Sequence, residues 1–211
     1  MTRGEALTSG NRRSEPHAMS NRDAADGLPP PWLVVAAGGT VETSFLPQRL
    51  FNYLADFSVR VTVALSPGAR DFVTTTALAA ITGEPVYTRG RQLDASQRPL
   101  HLALAEADRL LLCPASARIV ASCALGLVTC PVTRLFAFIP PARVIVSPAI
   151  HPAMDRSVYA AHLATLRNRG CTVLGGDDLF ASWQNVRDHL ERTFPLARRT
   201  DATGVLSIGR R

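Results

Sequence analysis

An α/β fold, an open parallel sheet with helices on both faces, is what this chain predicts, and two observations predict it. Short runs of Val, Ile, Leu and Ala, each 3–7 residues long, recur through the middle of the chain. Brief runs that are apolar on both sides suit strands covered on both faces of a parallel sheet. Helical spacing fills the intervals between them, and strand–helix alternation is the pattern of βαβ crossovers.

Taken in order, residues 33–37 form the first expected strand and 47–57 the first helix. Residues 59–65 are the second strand, followed by a helix over 69–81 with Ser66 as its N-cap and Pro67 as its first residue. A helix over 101–107 leads into the strand 109–113, and 117–125 is the helix after it. Residues 144–147 and 172–174 complete the sheet, separated by a helix over 157–169 that Gly170 terminates. A last helix covers 184–193. Residues 1–30, rich in Arg, Ser, Asn, Asp and Gly and ending in prolines, read as a disordered arm. The single domain is then 31–194, and 195–211 is a polar tail in which 205–208 is available as a short edge strand.

Composition excludes several classes. At 211 residues and 46% apolar, the chain suits one well-buried domain. No apolar run approaches the roughly 18 residues that span a bilayer, and the first residues carry no signal-peptide pattern, so a cytoplasmic protein without membrane association is expected. The net charge of +6 is carried by arginine, since the sequence contains no lysine. These arginines are dispersed and form no stripe interleaved with aromatics, which argues against nucleic acid. Cys113, Cys123, Cys130 and Cys171 lack paired spacing and read as buried thiols; no metal site is expected.

In an open parallel sheet, ligands settle beyond the carboxyl ends of the strands, where strand order reverses. Gly38, Gly39 and Thr40 follow the first strand: the glycines admit close backbone approach, and Thr40 adds a hydroxyl near a helix start. This is not a GxGxxG fingerprint, and a Gly-Gly pair also serves a plain turn. Ser66 is a structural cap and equally the mouth of an anion site. Pro114, Ala115, Ser116 and Ala117 follow the third strand; such small residues let a flat ring lie against backbone while Ser116 bonds its polar edge. Arg118, next in line, has only donors to offer. His101 heads a helix, commonly a surface or capping position, yet an imidazole near its neutral pKa can also accept a thiol proton. His151 and Met154 lie in the turn after the fourth strand.

These blocks, in this order over residues 33–176, resemble the flavin-containing cysteine decarboxylases, which act on phosphopantothenoylcysteine or on the C-terminal cysteine of lantibiotic-type peptides. The segment from Val63 through Tyr87 is similar to the family's second strand with its phosphate-contacting Ser/Thr and "TG–x–x–V" turn. His101 through Asp108 repeats the spacing of its catalytic histidine. Residues 114–118 resemble its "PASAN" loop with Arg118 in place of asparagine. Residues 148–155 are similar to "PAMNxxMW" with Ile150, His151 and Asp155 substituted and Met154 kept.

The resemblance implies a flavodoxin-like Rossmann three-layer sandwich, a homo-oligomer (trimers that pair into dodecamers) with the flavin at a subunit contact, and FMN as cofactor, FAD being the alternative. It implies His101 as catalytic base. Gly38, Gly39, Thr40, Ser66, Pro114, Ala115, Ser116 and Ala117 would hold the cofactor, and Arg118, His151 and Met154 the substrate. Three roles are open to Arg118: neutralising reduced flavin, holding a carboxylate, or facing solvent. In the pantothenate branch a cysteine acid beyond the last strand returns the electrons. Here residues 175–183 contain none. That favours the oxidative branch, in which the C-terminal cysteine of a ribosomally made precursor peptide becomes an enethiol for aminovinyl-cysteine rings. Phosphopantothenoylcysteine decarboxylase and a non-catalytic flavin-binding relative are the alternatives.

Overall fold

A computed structural model of the protein describes residues 29–199. Its strands, in chain order, are β1 (Trp32–Ala37), β2 (Phe57–Ser58), β3 (Arg60–Leu65), β4 (Arg109–Ala115), β5 (Val144–Pro148), β6 (Thr172–Val173) and β7 (Ala197–Arg198). Its helices are α1 (Leu46–Asp56), α2 (Thr75–Thr82), α3 (Leu100–Leu104), α4 (Ala117–Leu125), α5 (Pro131–Phe138), α6 (Arg156–Asn168) and α7 (Trp183–Thr193). Five strands pair in parallel in the order β3-β1-β4-β5-β6. Strand order therefore reverses between β1 and β4, as in flavodoxin-like sandwiches. All five strands of the main sheet fall where the sequence placed them.

Alternation along the strands builds two cores. Val34 and Ala36 of β1, with Leu110 and Leu112 of β4 and Val144 and Val146 of β5, face one side and pack with residues of α3, α4, α5 and α6. Leu33, Val35, Ala37, Leu111, Cys113 and Ile145 face the other and meet α1, α2 and α7. A period of two on strands covered on both faces produces this division. Ser66 caps as expected, accepting from the Ala69 N–H at 3.2 Å. Gly170 follows α6 with φ +98°, a left-handed value that favours glycine.

Four expectations need correction. The helix expected over 69–81 is broken: a 3-10 turn, Pro67–Asp71, precedes α2. The cause is Thr74, whose hydroxyl accepts from the Ala77 N–H at 3.1 Å and starts a second helix. Second, α3 covers Leu100–Leu104, shorter than the 101–107 expected. Third, α5 was not foreseen; the Thr133 hydroxyl, accepting from the N–H groups of Thr129 and Cys130 at 2.9 and 3.0 Å, organises its start. Fourth, the tail begins later than 195, because β7 pairs antiparallel with β2. Residues 1–28 of the expected arm, and the stretch 205–208, lie outside the described residues.

What positions the site is the convergence of strand ends. The Gly38 N–H donates to the Pro114 carbonyl at 2.8 Å, tying the end of β1 to β4. A Cβ on Gly39 would sit 2.6 Å from the Gly68 carbonyl carbon, and one on Gly38 would sit 2.5 Å from Ser116 Oγ. Because the Gly68 backbone cannot rotate away, Gly39→Ala must push two loops apart. It should destabilise the fold by about 1–3 kcal/mol, the usual cost of overpacking, read as a lowered midpoint in urea unfolding.

Candidate functional site

Beyond the ends of β1, β4 and β5 opens a cleft of about 670 Å³, within the usual range for small-molecule sites. It lies at the reversal of strand order. Of the residues named from sequence, Gly39, Thr40, Ser116, Ala117, Arg118, His151 and Met154 line it. Gly38, Pro114 and Ala115 are buried and support the lining residues instead of joining them. Ser66 is also buried, its oxygen engaged with Ala69, and it is not on the cleft wall. His101 does not line the cleft within one chain; it stands on α3 and packs against α5, its ring 4.8 Å from that of Phe138.

Sequence reasoning missed Glu42, Tyr159 and Phe180 on the cleft wall. Phe180 arrives through a long-range bridge with Ala149, and the Ile150 N–H donates to the Leu179 carbonyl at 3.0 Å. No local pattern announces such a contact. Glu42 could have been suspected from its place after Thr40. Its carboxylate is paired with Arg49 at 2.7 Å, which blunts a charge that would otherwise oppose an anionic ligand.

The cleft suits a flat ring with an anionic tail. Thr40 Oγ1 is buried without a hydrogen-bond partner, and a buried hydroxyl in that state is an acceptor and donor awaiting a ligand. Helix α4 makes its first bond from the Val120 N–H to the Ser116 carbonyl at 2.9 Å. The preceding N–H groups thus have no acceptor inside the helix and favour negative charge. Ile150, Met154 and Phe180 supply apolar wall. The residues present therefore fit a flavin: the small residues would face its ring and the helix starts would receive its phosphate.

At the mouth, His151 Nδ1 accepts from the Ala153 N–H at 3.1 Å. A neutral imidazole accepting at Nδ1 carries its proton on Nε2, so His151 presents a donor. Arg118 is exposed and forms no ion pair with a described residue. Two donors thus flank the opening. No cysteine lines the cleft, and burial pushes Cys113 up to about 11 and also raises Cys123 and Cys171. Among the described residues no cluster of His, Cys, Asp or Glu could hold a metal ion, and no helix is long and apolar enough to cross a membrane.

A doubly wound sheet with such a cleft at its switch point defines a protein that binds a flat, phosphate-bearing cofactor. The chain belongs to the Flavoprotein family, whose model matches residues 24–193. It is 31% identical over 147 residues to the coenzyme A biosynthesis bifunctional protein CoaBC of Escherichia coli. That match covers 69% of this chain and 36% of the relative, so the chain spans about a third of the length of the curated proteins it matches. Among solved structures, the FMN-dependent cysteine decarboxylase TvaF from thioviridamide biosynthesis is similar at 28% identity and a TM-score of 0.60, covering 69% of this chain and 90% of TvaF. A PPC decarboxylase variant complexed with pantothenoylaminoethenethiol shares the fold at 20% identity and a TM-score of 0.65, covering 77% and 97%.

Thr40 gives a test of the cleft. Thr40→Val removes a hydroxyl that has no partner within the described chain, so stability without ligand should hold or rise. FMN affinity should fall by roughly threefold to tenfold, the worth of one neutral hydrogen bond. Quenching of flavin fluorescence on titration measures the second effect, and thermal unfolding the first.

Proposed function

We propose that this protein is an FMN-dependent decarboxylase that oxidises the C-terminal cysteine of a ribosomally made peptide. The observation that carries the reading is the loop after β6. Residues 175–182 contribute Phe180 to the cleft wall, and no cysteine stands among them to return electrons to the product. Bound FMN supplies the two-electron oxidation at the cysteine side chain. The chain's own residues bind, orient and take a proton.

His101 accepts the substrate thiol proton. Since it does not line the cleft of its own chain, a second copy delivers it, and the working unit is a homo-oligomer: a trimer, or trimers paired into a dodecamer. Exposed apolar side chains accompany both halves of that contact, Leu102 and Phe138 near His101, and Val41 and Phe45 near the cleft. Arg118 and the Nε2–H of His151 hold the peptide carboxylate by charge-assisted hydrogen bonds. Too tight a grip would oppose its departure as neutral carbon dioxide, so an exposed pair at the mouth is the suitable strength.

The relation to CoaBC favours a second reading, phosphopantothenoylcysteine as substrate. One experiment separates them: the FMN-loaded protein is incubated with a cysteine-terminated peptide or with phosphopantothenoylcysteine, and products are weighed by mass spectrometry. The peptide should lose carbon dioxide and two hydrogens. Loss of carbon dioxide without hydrogens from the small substrate would move the protein to the other branch. His101→Asn should retain FMN and assembly while slowing peptide turnover about 10²-fold or more.

Arg118→Ala should weaken binding of a free-acid peptide by roughly tenfold to a hundredfold, as charge-assisted bonds imply. A C-terminally amidated peptide should bind wild type and variant alike. Equal weakening of acid and amide in a binding titration would remove Arg118 from carboxylate recognition.

A further inference from the structure

His101 is seated where an imidazole is kept from charging. Its Nδ1 is buried and has no hydrogen-bond partner among the described residues. An imidazolium needs acceptors for both of its N–H groups, so this seat favours the neutral ring. Phe138 of α5 packs against the ring at 4.8 Å and 51°. One turn earlier on the same helix stands Arg134. Its Nη1 donates to Gln92 Oε1 at 3.0 Å. Gln92 is in turn anchored, its Nε2 donating to the carbonyls of Thr88 at 3.0 Å and Arg89 at 2.7 Å. The guanidinium is thus fixed by a chain of contacts from the loop before α3, not left to solvent.

The surrounding charges do not offset it. His101 is the sole titratable residue of α3, and Arg134 that of α5. Glu106, after α3, is engaged by Arg98 at 2.5 Å, and Asp108 accepts from the Trp32 N–H at 2.7 Å. Tyr87, which adjoins Arg134, has its pKa raised further by burial and brings no charge at neutral pH. Burial first, and Arg134 second, hold the His101 pKa below its ordinary 6.5.

We propose that Arg134, fixed by Gln92, is a positioning residue for the reaction: it keeps His101 uncharged, and so able to take the thiol proton of a cysteine-terminated substrate. The inference rests on the reading of His101 as the base. A like charge beside a base opposes its protonation in the free enzyme, so the base remains competent as the medium becomes acidic. The arrangement widens the acid side of the working range without moving the imidazole itself.

The test compares wild type, Arg134→Met and Arg134→Lys as FMN-loaded oligomers. Diethyl pyrocarbonate modifies only neutral imidazole, so the pH midpoint of His101 labelling, read by peptide mass spectrometry, reports its charge state directly. The acid limb of kcat/KM for a cysteine-terminated peptide reports the same group through turnover. Arg134→Met should move both midpoints upward together, and Arg134→Lys should restore them toward wild type. If Arg134→Met fails to assemble, Gln92→Ala, which frees the guanidinium without deleting it, should shift both in the same direction. An unmoved labelling midpoint in the assembled variant overturns the proposal, as does a slower rate with an unchanged acid limb. Should His101→Asn stay fully active, the base assignment fails, while the labelling midpoint still decides whether Arg134 governs the imidazole.

Discussion

The architecture depends on how closely the ends of β1, β3 and β4 approach at Gly38 and Gly39. Gly39 meets the Gly68 backbone there, and Gly38 meets the hydroxyl and N–H of Ser116. No side chain fits between, so the cleft floor is made of main chain and the walls of side chains. Every feature of the site follows from this arrangement. Thr40 is carried to the floor, the start of α4 is aimed into the cleft, and the turn after β5 forms the far wall. A looser junction would keep the same residues in the sequence but spread them over separate loops.

The sheet was legible because parallel strands buried on both faces are nearly continuous apolar runs, and nothing else in this chain looks like them. The cofactor loops were legible because small residues at strand ends have few other uses. Phe180 and Glu42 were not, since their places depend on pairing across more than 30 residues or on a neighbour's charge. Helix α5 escaped because it begins with a Cys-Pro pair, and its start is organised by a threonine inside the helix instead of by a familiar cap. The region 67–82 misled for a related reason: two capping residues, Ser66 and Thr74, compete within one apolar stretch, and each starts its own turn.

His101 shows the limit of motif reading most clearly. Its helix and spacing are visible in the sequence, yet its distance from the cleft is not, because that depends on how α3 packs against α5 on the far core. Electrostatics follow the same division. Acidic groups near the cleft and near α3 are each taken up by an arginine or a backbone N–H. The charge of Arg118, which forms no ion pair with a described residue, stands exposed at the mouth.

The small ribbon of β2 and β7 has a consequence for how the chain matures. Val186, Leu190 and Phe194 complete the core over β1 and β3, while Arg187 bridges Asp56 and Glu191 at 2.7 Å each. The Arg199 N–H then reaches back to the Asp56 carbonyl at 2.9 Å. Helices α1 and α2 cover part of the apolar face that residues 33–65 build, yet the rest is sealed by a segment translated some 120 residues later. At ordinary elongation rates that leaves it open for several seconds or more. During this interval the flank of the nascent sheet that α7 will cover is open to water, and its apolar side chains carry the cost of that exposure.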